Sequence, residues 1–91
     1  MEAPLQLPSE DLIRRGLEDL RHGNVTSEAL LVSIGAQRLR GAGLDVPPAL
    51  PDPEHRLYRL LAEEFGNDAH SRYNALLRSL VSYEQALECA K

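Results

Sequence analysis

The sequence predicts an all-α protein: an irregular four-helix bundle with a long amphipathic C-terminal helix and room for a short fifth helical turn. Three observations carry that expectation. Apolar residues recur at three- and four-residue spacing through most of the chain, the period of a helix and not of a strand. Leucine supplies most of them while valine and isoleucine are few, a balance that favours helix. Ser, Thr and Asp stand just before the periodic segments and Gly just after them, the order in which helices start and stop.

Residues 1–8, MEAPLQLP, carry Pro4 and Pro8 and read as an extended arm ahead of one helical domain over 9–91. The first helix is expected over about 9–22, with Ser9 at the N-cap and Glu10 and Asp11 in the first turn, where the helix dipole favours negative charge. Leu12, Ile13, Gly16, Leu17 and Leu20 share one face, and Gly23 marks the end.

The second helix, about 27–40, opens at Thr26 or Ser27. Its apolar residues Ala29, Leu30, Leu31, Val32, Ile34, Ala36 and Leu39 take nearly every direction around the axis, so it is expected at the centre of the bundle. A buried strand over Leu30 to Ile34 is the rival reading, but no second strand pattern exists to pair with it. Gly35 marks a break or kink before a short turn, Gln37 to Arg40, and Gly41 and Gly43 stop the segment.

The linker, 45–53, lies within a run of ten residues holding four prolines, and Val46 and Leu50 are placed to pin it to the body. Asp52 then caps, and Pro53 opens, a helix over about 53–65 whose buried face is Leu57, Leu60, Leu61 and Phe65. The last helix is expected over about 68–88. In it Ala69, Tyr73, Leu76, Leu80, Tyr83 and Leu87 form a heptad seam, widened by Leu77, that calls for another helix alongside.

Composition narrows the function. Fourteen acids against ten bases give a net charge of −4, the opposite of the basic footprint most nucleic-acid binders need. The single cysteine, Cys89, has no partner for an internal disulfide or a thiolate metal site, which implies a reducing compartment. The N-terminus has no basic leader followed by an apolar core, and no apolar run approaches the roughly 18 residues of a membrane span. A cytoplasmic location is therefore expected.

Glycines 35, 41 and 43 match neither phosphate-binding glycine pattern, and His22, His55 and His70 are scattered without metal-ligand spacing. Neither cofactor nor metal is expected. Arg15 and His22 have a spacing similar to the R-x6-H motif of HEPN-type ribonucleases. However, Gly16 stands where that family carries a polar group and the motif lies at the wrong end of the chain, so the match is read as chance. Glu64 and Glu84 both project into apolar arcs of their helices, as structural ion pairs or residues at the margin of the seam, as interface pairs or, least expected, as catalytic acids.

The expectation is therefore a non-enzymatic interaction module or adaptor acting through apolar helix faces. It binds a protein partner or itself as a two-fold homodimer through Leu31, Tyr73, Leu76, Leu80, Tyr83, Glu84 and Leu87. The alternative is a nucleic-acid-associated regulator with a degenerate helix-turn-helix around Gly35, contacting nucleic acid through Arg38 and Arg40. A third and weaker reading is a small nuclease-like or hydrolytic enzyme. No small-molecule substrate and no membrane partner are indicated.

Overall fold

A computed structural model describes residues 9–89; the expected arm over 1–8 lies outside them. Five α-helices follow one another: α1 (Glu10–Arg21), α2 (Ser27–Ile34), α3 (Ala36–Gly41), α4 (Pro53–Phe65) and α5 (Ala69–Cys89). One 3-10 turn, Gly66–Asp68, joins the last two. The described residues contain no strand, so the Leu30 to Ile34 run is helical.

The expected second helix is cut in two at Gly35, which ends α2 and precedes α3. α2 packs against α1, α4 and α5, the central place its all-round apolar surface demands. Ala29, Leu30, Leu31 and Val32 are all essentially sealed, and around them gather Ile13 and Leu20 from α1, Leu57 and Leu61 from α4, and Leu80 and Tyr83 from α5.

Local chemistry explains how the helices begin and end, with two departures from the sequence reading. Thr26 is a true cap: its hydroxyl accepts from the Ala29 N–H at 3.1 Å and donates to Asp19 Oδ2 at 2.7 Å, tying the start of α2 to the end of α1. Ser9 and Asp52 hold the cap positions of α1 and α4, but both backbones are left-handed, at φ 62° and 49°, and neither side chain accepts a cap hydrogen bond. In that conformation only their carbonyls reach the helix, taking the N–H of Ile13 and Arg56.

The ends of α1 and α3 are alike. After α1 the Asn24 N–H donates to Asp19 O and the Gly23 N–H to Leu20 O; after α3 the Leu44 N–H donates to Leu39 O and the Gly43 N–H to Arg40 O. This paired closure needs a left-handed residue, supplied by Gly23 at φ 74° and Gly43 at φ 104°.

The proline-rich segment is pinned, as expected, by buried Val46 and half-buried Leu50, and two polar clamps add to them. Buried Ser33 donates to Ala29 O at 2.9 Å and accepts from the Leu50 N–H at 3.0 Å. Arg40 donates to the carbonyls of Val46 and Pro47, at 3.2 and 2.8 Å. The principal extents are 38 × 29 × 20 Å, and a thickness of 20 Å is about two helix diameters. A two-layer body leaves α5 with a solvent side.

Candidate functional site

The heptad seam of α5 is consumed by the chain's own core. Leu80, Tyr83 and Glu84 are buried, and Tyr73, Leu76 and Leu87 are half-buried against the same cluster. Leu31 is completely inaccessible. Of the seven residues expected to meet a partner, four are thus covered by α1 to α4, and the other three are turned toward them. The pull toward another helix is real, but helices of the same chain answer it.

Glu84 occupies the tightest spot. Its Oε1 lies 3.5 Å from Arg38 Nη1, and its Oε2 is buried without a hydrogen-bond partner. The Arg38 side chain is 74% exposed while that of Glu84 is 11% exposed, so a solvated arginine covers an almost enclosed carboxylate. Glu84 thus settles as an ion pair across α3 and α5. Glu64 does not share this setting; it is exposed on α4, outside the buried face. Phe65, expected in that face, is also exposed, with the Arg72 guanidinium 3.9 Å above its ring.

The two arginines of the nucleic-acid reading are both engaged within the chain, Arg38 with Glu84 and Arg40 with the Val46 and Pro47 carbonyls. Arg15 and His22 are exposed, and their side chains make no hydrogen bond or ion pair. Among the described residues no group of three His, Cys, Asp or Glu could hold a metal ion, and no helix is long and apolar enough to cross a membrane.

Two tyrosines have altered acidity. Burial, then the Glu10 charge, raises the Tyr83 pKa above its ordinary value, partly opposed by Arg14. Burial and then Glu54 raise that of Tyr73, whose ring meets Tyr58 edge-on at 5.4 Å.

What the sequence reading missed is the solvent side of α5. Val81 is 41% exposed, and Leu77, one turn earlier, is half-buried. Asn74, Arg78 and Ser82 complete a shallow depression with them, and a second one, formed by Arg38, Val81, Glu84, Gln85 and Glu88, continues along α5. A signal was present: Leu77 and Val81 are four apart, a second apolar line beside the seam. Another uncovered surface lies where Val25, 48% exposed, and Leu60 meet Glu28, Glu63 and Glu64.

Fold and surface together define a small all-α bundle with a core closed by its own helices. Comparison with known protein families, curated proteins and solved structures finds no match for this chain.

Proposed function

We propose that this protein is a non-enzymatic protein-interaction module of the cytoplasm whose docking surface is the solvent side of α5. The observation behind this reading is Val81, 41% exposed at the middle of the longest helix with half-buried Leu77 one turn before it; Val25 is more exposed, at 48%, but lies in the loop between α1 and α2. Apolar surface on a rigid helix, rimmed by polar groups, is what a partner helix or groove buries on binding. The docking role moves one line around the helix from the seam, because Leu80 and Tyr83 are already occupied. A lone exposed Cys89 suits a reducing compartment.

The nucleic-acid reading is the weaker one. Arg38 and Arg40 would have to leave a buried carboxylate and two linker carbonyls to reach phosphates or bases, and the chain carries a charge of −4.

The test compares wild type with Val81→Glu, both immobilised and exposed to extract of the native cell. A protein retained by wild type and lost by a variant of unchanged melting temperature supports the docking surface. Identical retention by the two overturns it.

A further inference from the structure

We propose that the solvent side of α5 pairs with the same surface of a second copy, the two helices running antiparallel across a two-fold axis near Val81. This rests on the docking role given to α5 above. Successive residues of a helix turn by about 100°, which sets Asn74, Leu77, Arg78, Val81, Gln85 and Glu88 on one side of α5. All are exposed except half-buried Leu77. Arg78 and Glu88 take part in none of the ion pairs among the described residues.

A two-fold interface uses one patch twice, so that patch must carry both halves of every pairing it makes. The α5 patch does. Its cation, Arg78, precedes the apolar centre formed by Leu77 and Val81, and its free carboxylate, Glu88, follows it. Antiparallel packing about Val81 sets Arg78 of one copy and Glu88 of the other on the same side of the axis, about 6 Å apart along the helices and within reach of their long side chains, while the aliphatic centres meet. Parallel packing would set arginine beside arginine and glutamate beside glutamate, and would align rather than oppose the helix dipoles.

The patch is small. Asn74 to Glu88 covers roughly 22 Å of helix about 10 Å wide, well short of the roughly 800 Å² per partner of a stable complex. The dimer is therefore weak, reversible in the micromolar range or above, and weakened by salt.

Sedimentation equilibrium under reducing conditions, on wild type, Arg78→Glu, Glu88→Arg and the double swap, provides the test, with melting curves confirming that each surface variant folds. Wild type should associate reversibly. Each single reversal should weaken the dimer by about tenfold, since it turns attraction into repulsion at two symmetric places, and the double swap should restore it. Cys89 supplies a second readout: about eight residues from the axis in each copy, the two thiols stand roughly 24 Å apart in the antiparallel pair, so mild oxidant should not crosslink the dimer.

A strictly monomeric wild type overturns the inference, yet leaves the docking surface standing if Val81→Glu still loses a captured protein. Single reversals without effect, or rapid Cys89 crosslinking within the dimer, overturn the antiparallel arrangement.

Discussion

Gly35 and Glu84 fit together only because one of them lacks a side chain. A Cβ on Gly35 would stand 2.5 Å from Glu84 Oε2 and 3.0 Å from Leu80 Cδ1. Gly35 also has an ordinary backbone, φ −97°, so the demand for glycine here is steric and comes from α5. The break between α2 and α3 is the place where α5 lays a carboxylate against bare backbone.

Gly35→Ala should accordingly destabilise the fold by about 1–2 kcal/mol through overpacking. The penalty should shrink in a Glu84→Ala background, where only the Leu80 contacts remain. Urea denaturation of the four proteins of this double-mutant cycle measures the coupling. A penalty of the same size in both backgrounds would mean that Glu84 is not what excludes the side chain.

Glu84→Leu should fold at least as well as wild type. Burying the charge is costly, Oε2 has no donor, and the covering Arg38 is mostly in water, so the ion pair returns little of the cost of desolvation. The same denaturation measurement decides, and a loss above about 2 kcal/mol would show that the pair contributes more than its geometry indicates.

Gly16 meets a harder wall. Its Cβ would lie 2.4 Å from Val32 Cγ2 and 2.5 Å from the backbone oxygen of Glu28, and backbone cannot swing aside as a side chain can. Gly16→Ala should therefore cost about 2–3 kcal/mol, and Val32→Ala should recover only part of it. Complete recovery would mean that the Glu28 carbonyl, and with it the α1–α2 spacing, yields easily.

These contacts mark the border of what the sequence reveals. The helices were legible because their signals are local: the apolar period, the Thr26 cap, the glycines after α1 and α3, and the all-round apolar character that sends α2 to the centre. The surface was not, because exposure depends on which helix covers which face. The spacing of Tyr73, Leu76, Leu80, Tyr83 and Leu87 correctly marks a face that needs a neighbouring helix, but spacing is silent on whether that neighbour is in the same chain. Glu64 and Glu84 look alike on a helical projection, yet one reaches water and the other lies over Gly35. Ser33, a lone polar residue within an apolar run, is the bolt that holds the linker, a role set by a partner 17 residues away that local pattern does not carry.

Ser33→Ala should loosen that linker at Leu50. The hydroxyl serves Ala29 O and the Leu50 N–H together, so its removal leaves the Leu50 N–H without its partner at a cost of about 1–2 kcal/mol. Hydrogen exchange should accelerate at the Leu50 amide far more than in the middle of α2. Unchanged protection at Leu50 would assign the pinning of the segment to Val46 and Arg40 alone.

Two tyrosines, Tyr83 buried and Tyr73 half-buried, tie stability to alkaline pH. An unfolded tyrosine loses its proton near pH 10.0, while in the fold burial, followed by Glu10 for Tyr83 and Glu54 for Tyr73, holds the phenol protonated to higher pH. From about pH 10 upward the unfolded chain therefore releases protons that the folded chain retains, and rising pH drives unfolding. The stability from these two groups is fully present below the unfolded pKa and is lost as pH climbs through the raised folded values. The melting temperature of wild type should thus fall above about pH 10, and that of the Tyr73→Phe, Tyr83→Phe double variant should fall less, because phenylalanine keeps the rings and removes the ionisable hydroxyls. Tyrosinate absorbance, followed in the same samples, should show a late-titrating component in wild type that the double variant lacks. An equal fall in both proteins would place the alkaline sensitivity in other groups.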